Sequence, residues 1–181
     1  MERYVTILRG INVSGQNKIR MADLSLLYES LGFTNVRTYI QSGNIVFESV
    51  PGKPDKLVHD IERAIRNKYG FEVPVLVRTG AEMQSAIKAN PFLKEKGIDV
   101  TSLHLTFLER APEKSVVQKF DPGPLGHDRY SIRDANVYLY CPDGYGKTRL
   151  SNTFLEKRLG VRATTRNWKT VNVLNDLLIQ E

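Results

Sequence analysis

The chain of 181 residues carries one cysteine, Cys141, and one tryptophan, Trp168. A lone cysteine excludes an internal disulfide and any multi-cysteine metal site. Its place after the run Val137-Tyr138-Leu139-Tyr140 suits an inert buried thiol. The three histidines, His59, His104 and His127, stand far apart and in no metal-ligand spacing, so no metal is expected. No run of about 18 apolar residues occurs, so no membrane span is expected. No apolar leader with a cleavage signal precedes the first strand-like run, and the expected location is the cytoplasm. Paired carboxylates are scarce as well. Asp23, Glu29, Asp55, Glu62 and Glu82 fall on helix surfaces or caps, and Asp121 and Asp128 flank the loop DPGPLG. That pattern argues against metal-dependent hydrolysis and glycoside hydrolysis.

What is present is the composition of an ordinary globular protein, 41% hydrophobic and 25% charged. There are 26 basic and 20 acidic residues, a net charge of +6. Within residues 145–170 seven basic residues (Lys147, Arg149, Lys157, Arg158, Arg162, Arg166 and Lys169) meet one acid, Glu156. An anionic partner is expected to contact this segment.

The apolar spacing gives an element order. Tyr4 to Leu8 is a short strand. Leu24, Leu27, Tyr28 and Leu31 line one helix face that Gly32 stops. Val36–Ile40 and Ile45–Phe47 flank the turn Gln41-Ser42-Gly43-Asn44, where Gly43 or Asn44 supplies a positive φ. Pro54 opens a helix that Gly70 ends, and a strand over Phe71–Val77 follows. Thr79 caps a further helix with Glu82 as its capping-box partner. The second half repeats the order, with strands at 103–108, 129–132, 137–140 and 161–165, and Asn167 caps the last helix. The expected fold class is α+β, two tandem ferredoxin-like βαββαβ subdomains, each followed by an extra helix. The expected domains are 1–97 and 98–181, with the boundary in the polar stretch 92–99.

Four segments carry polar chemistry. Arg9, Gly10, Asn12 and the loop to Lys18 offer many donors and no carboxylate, which suits a phosphate or another anion. Gln41, Ser42 and Asn44 form a hydrogen-bonding turn; Ser42 has no His-Asp pairing that would make it a nucleophile. Residues 141–151 invite comparison with a phosphate loop, but Cys141 stands where the first glycine belongs, so nucleotide hydrolysis is not expected. Gly144 and Gly146 still leave a flexible loop at a helix start, with Lys147 and Arg149 beside it. Arg166 precedes the helix cap Asn167, close to a helix N-terminus.

The stretch RGINVSGQNKIRMADLSLLYESLGFTNVRTYIQSGNIVF at 9–47, Asn90-Pro91-Phe92, YLYCPDGYGKTRLS at 138–151 and TTRNWKTVNVL at 164–174 closely resemble the bacterial family catalogued as domain of unknown function 1697. The resemblance implies a two-subdomain α+β protein with ferredoxin-like halves. It brings no activity, substrate or cofactor. Its characteristic polar positions map to Arg9, Gly10, Asn12, Gln41, Ser42, Gly43, Asn44, Arg166, Asn167 and Trp168. Where members often have Gly-x-Gly followed by Arg-Ser, this chain has Gly144-Tyr145-Gly146-Lys147-Thr148, and Thr148 is given no role.

The expected ligand-binding residues are Arg9, Gly10, Asn12, Lys18, Gln41, Ser42, Asn44, Lys147, Arg149, Arg166 and Asn167. The favoured expectation is recognition of an anionic ligand, nucleic acid or nucleotide, with no cofactor. Tyr130, Tyr138 and Tyr140 are candidate stacking residues if a sheet face is open. The alternative is a small enzyme acting on a phosphorylated or carboxylated metabolite in a cleft between the two halves. A protein–protein adaptor has no signature in the sequence.

Overall fold

In the computed structural model, which describes residues 1–180, β1 (Glu2–Leu8) alternates its side chains between two apolar surroundings. Tyr4, Thr6 and Leu8 point one way and Val5 and Ile7 the other, and all five are fully buried. β1 is therefore a central strand with both faces covered. The chain continues through α1 (Met21–Ser30), β2 (Thr34–Tyr39), β3 (Asn44–Ser49), α2 (Pro54–Tyr69), β4 (Val75–Thr79) and α3 (Gly80–Lys88). The four strands form an antiparallel sheet in the order β2-β3-β1-β4.

One face of this sheet packs on the two helices. Tyr4, Leu8, Ile45, Phe47, Val75 and Val77 join Leu24, Leu27 and Tyr28 of α1 and Leu57, Ile61 and Ile65 of α2 in one core. Tyr28, Phe33 and Phe47 lie with ring centroids 4.5 to 5.8 Å apart, the separation at which edge and offset contacts are favourable. A polar pair inside is satisfied, with Thr6 Oγ1 and Tyr28 OH 2.8 Å apart. Pro54 opens α2 and Gly70, at φ 79°, ends it, as the sequence predicts.

The same order recurs. β5 (Leu103–Leu108), α4 (Lys114–Gln118), β6 (Arg129–Arg133), β7 (Asn136–Tyr140), α5 (Asn152–Leu159), β8 (Ala163–Asn167) and α6 (Trp168–Ile179) complete the chain. Their sheet runs β6-β7-β5-β8, again antiparallel. Leu108, Val137, Leu139, Cys141 and Ala163 meet Leu150, Leu155 and Leu159 in its core. Burial pushes the Cys141 thiol up to about 11, which keeps it protonated and unreactive. The described residues thus form an α+β fold of two four-stranded antiparallel sheets and six α-helices, compatible with two ferredoxin-like subdomains.

Two compact units emerge, one of residues 1–84 with 174–180 and one of residues 85–173. The division falls within α3, upstream of the polar stretch 92–99, and hydrogen bonds show why. In the second unit the Tyr138 hydroxyl donates to Ala86 O at 2.7 Å and Arg133 Nη1 donates to Ala89 O at 3.0 Å. In the first, Arg3 Nη1 donates to Leu178 O at 3.1 Å. The caps of the trailing helices form as their residues suggest. Thr79 N donates to Glu82 Oε2 at 2.8 Å and Glu82 N to Thr79 Oγ1 at 3.2 Å, a reciprocal capping box.

The β2–β3 turn is set by Gly43 rather than Asn44. Gly43 has φ 79°, and Ile40 also takes the left-handed region at φ 50°. A Cβ on Gly43 would lie 2.7 Å from both Leu8 Cβ and Ile11 Cδ1. Gly43→Ala combines left-handed strain with overpacking and is expected to cost about 2–4 kcal/mol. Urea denaturation measures it, and a loss below about 0.5 kcal/mol, the range of neutral surface changes, contradicts the packing described.

Candidate functional site

After β1 the chain leaves the sheet at Arg9, whose N–H donates to Pro74 O at 3.0 Å. The loop that follows coils tightly. Gly10, Asn12, Ser14, Gly15 and Asn17 all have positive φ, a run that glycine and asparagine tolerate best. Ile11 and Ile19, 1% and 2% exposed, anchor it in the core. Between these anchors the Asn12 side chain does most of the holding. Its Nδ2 donates to Ile19 O and to Gln41 O, both at 2.9 Å, and its Oδ1 accepts Ile19 N–H at 2.9 Å. Asn12 thereby ties the loop to itself and to the β2–β3 turn.

The turn is built in the same way. Asn44 is fully buried, and its Nδ2 donates to Tyr39 O at 3.1 Å and to Ser42 Oγ at 2.9 Å. Leu8 N donates to Gly43 O at 2.8 Å. Asn12, Ser42 and Asn44, singled out as donors for a ligand, spend these groups on the loop and turn. Gly10 is exposed, with open space where a Cβ would stand. Arg9 is half-buried at the loop's start, and Lys18 and Gln41 are exposed.

Loop, turn and helix end border an open cavity of about 670 Å³ lined by Asn12, Gly15, Lys18, Ile19, Arg20, Asp23, Gln41 and Tyr69. That volume accommodates a small organic ligand. Three of the residues expected from sequence, Asn12, Lys18 and Gln41, line it. Lys18 and Arg20 place positive charge at the exposed edge. Asp23 stands in the wall, 3.9 Å from Arg20 Nε. The site therefore contains a carboxylate that the loop sequence lacks, because α1 supplies it.

Tyr69, at the end of α2, is with Asp23 one of two wall residues that come from outside the loop and the turn. Its ring lies 6.0 Å from that of Phe71, with Lys68 Nζ 5.4 Å from its centroid. Its hydroxyl oxygen is buried and has no hydrogen-bond partner among the described residues. Burial, and then the nearby Asp23 carboxylate, raise its pKa. No local pattern marks Tyr69, since it reaches the loop only through the packing of α2.

The remaining expected residues lie in the second unit and do different things. Arg166, opposite Leu105 on β8, donates from Nη1 to Thr165 O at 2.9 Å. Burial pulls its pKa down to about 10. Asn167 caps α6, its Oδ1 accepting Thr170 N–H at 2.8 Å. Lys147 is exposed on a 3₁₀ turn whose Tyr145 stacks 4.9 Å from the His104 ring. Arg149 is exposed beside Phe154.

Arg166 has a counterpart in the first sheet. Arg78 sits opposite Val5 on β4, donates from Nη1 to Val77 O at 2.8 Å, and precedes the cap Thr79. Burial lowers its pKa too. Setting VRTGAE beside TRNWKT is the sequence signal that finds it. Asn12 is the residue on which the cavity wall depends. Asn12→Ala removes three hydrogen bonds and is expected to cost about 2–3 kcal/mol and to speed exchange of the Ile19 amide. Hydrogen-exchange NMR reads it, and unchanged protection at Ile19 would show that the two isoleucines hold the loop without Asn12.

A family model described as a protein of unknown function (DUF1697) matches residues 1–138. No curated protein matches the chain. Among solved structures the fold is similar to that of the conserved bacterial protein SP0830 from Streptococcus pneumoniae, with a TM-score of 0.72 over 98% of each chain. The sequences are 24% identical, and the likeness is one of fold. The family match takes in the loop 9–20, the β2–β3 turn and Tyr69, and the chain belongs to the DUF1697 family.

Proposed function

We propose that the protein recognises a small anionic ligand with a planar body, a nucleotide in chemical class, in the cavity of the first unit. The observation that carries this reading is the Tyr69 hydroxyl. A buried hydroxyl without a partner costs about 1–3 kcal/mol, and natural proteins retain few of them. A ligand atom that bonds to it, once the side chains covering it shift, recovers that cost. Around it stand the other parts such a ligand needs. Lys18 and Arg20 offer charge for a phosphate, the exposed Gln41 offers an amide, and Ile19 and the Tyr69 ring offer apolar surface. The net charge of +6 favours the approach of anions.

A free nucleotide fits better than a strand stacked on a sheet. Tyr138 is fully buried with its hydroxyl on Ala86 O. Tyr140 has the Arg129 guanidinium 5.8 Å from its centroid and the Phe92 ring 6.3 Å away. The reading includes the finer architecture, two tandem ferredoxin-like subdomains each followed by an extra helix, supported by the repeated element and strand orders. It also includes a cytoplasmic setting, supported by the free, buried thiol of Cys141.

Tyr69→Phe separates binding from folding. The variant is expected to weaken nucleotide binding about ten-fold while melting no lower than the parent, because the unpaired hydroxyl is gone. Calorimetry with nucleoside mono-, di- and triphosphates, alongside thermal melts, measures both. Parent-like affinity in Tyr69→Phe, or no affinity for any nucleotide in the parent, overturns the reading.

A further inference from the structure

The basic segment 145–170 takes no part in that cavity, which lies in the other unit. Its most ordered portion is a pair of arginines on one ring. The guanidinium carbons of Arg149 and Arg158 lie 5.7 and 5.6 Å from the centroid of Phe154. Arg158 Nη2 also donates to Asp121 O at 3.1 Å. Arg149 rests against Gly123, where a Cβ would come within 3.2 Å of Nη1. Glycine at 123 leaves the guanidinium its place.

No carboxylate of the described residues pairs with either arginine. Asp121 Oδ1 is turned to Gly123 N at 2.8 Å, and Glu156 Oε1 to Ala163 N at 2.9 Å. Glu109 is paired with Arg110 at 3.0 Å, and Arg110 Nη2 reaches Gly160 O at the end of α5. Lys157 and Arg162 add exposed positive charge along the same helix and just beyond it.

We infer that the surface made by Arg149, α5 and the loop 121–126 is a second site, independent of the nucleotide cavity, that binds the phosphodiester backbone of a nucleic acid. Two guanidinium groups held by a ring and a backbone carbonyl keep most of their N–H donors free. The planar fork matches two phosphate oxygens at once, which an ammonium does not. Preorganisation reduces the entropy lost on binding. An anionic membrane fits less well. It also asks for apolar side chains to insert, and the exposed large apolar residues all lie outside residues 110–166.

Fluorescence anisotropy with short labelled RNA, single-stranded DNA and duplex DNA, between about 50 and 200 mM salt, tests the inference. The parent is expected to bind with a steep salt dependence. Arg149→Lys/Arg158→Lys keeps the charge and loses the fork, and is expected to weaken binding roughly five- to ten-fold. Lys157→Glu, at an exposed side chain with no hydrogen-bond or ion-pair partner among the described residues, is expected to lower the salt slope by about one or more. Tyr69→Phe is expected to leave nucleic-acid binding unchanged, which separates this site from the cavity. Parent-like affinity in the double lysine variant overturns the inference. So does binding to phosphatidylglycerol vesicles or to polyaspartate with none to nucleic acid.

Discussion

A loop that leaves a sheet can serve as the wall of a binding site only if something other than strand pairing holds it still. In this protein that constraint is the Asn12 side chain. Both of its amide hydrogens and its carbonyl oxygen are used, on Ile19 and on Gln41. Gly43 completes the arrangement by letting Leu8 and Ile11 close onto the turn. The cavity edge, with Lys18, Arg20 and Gln41, is what this frame leaves facing solvent. Structural and solvent-facing residues therefore alternate within one short stretch of chain.

The architecture explains why chemistry concentrates in loops. Each central strand is buried on both faces, as Tyr4 to Leu8 in β1 and Leu105 to Leu108 in β5 show. Thr106 of β5 is buried but satisfied, 2.7 Å from Thr165 Oγ1. Little sheet surface is left for a ligand to stack on. The exposed charge beside the two proposed sites lies on the loop 9–20 in the first unit and on α5 and its neighbouring loop in the second. Arg78 and Arg166, alike in position and burial, are spent on the backbone at the ends of β4 and β8.

Local chemistry made much of the fold legible. Gly32, Gly70 and Gly160 end helices where a positive φ is needed, and Thr79 and Asn167 cap helix starts through their own side chains. Strand ends were harder to read. The run Phe71–Val77 looks extended throughout, but β4 begins at Val75, after Pro74, which has no N–H to donate. The site was legible as a region more than as a set of roles. Asn12 and Asn44 read as ligand donors because an asparagine in a loop looks the same whether it bonds a ligand or the backbone. Asp23 and Tyr69 come from helices on either side, and no spacing in the chain announces that they meet the loop. The basic segment was plain from charge alone, whereas the ring that orders Arg149 and Arg158 depends on the packing of Phe154.

The central claim is that an anionic ligand seats between the loop 9–20, the turn at Gln41 and the Tyr69 hydroxyl. Titrating isotope-labelled protein with a nucleoside monophosphate, read from amide and tyrosine-ring chemical shifts, tests it most directly. The account predicts saturable shifts centred on residues 12–20, Gln41 and the Tyr69 ring. Saturable shifts centred elsewhere in the chain, or none up to millimolar ligand, would contradict it.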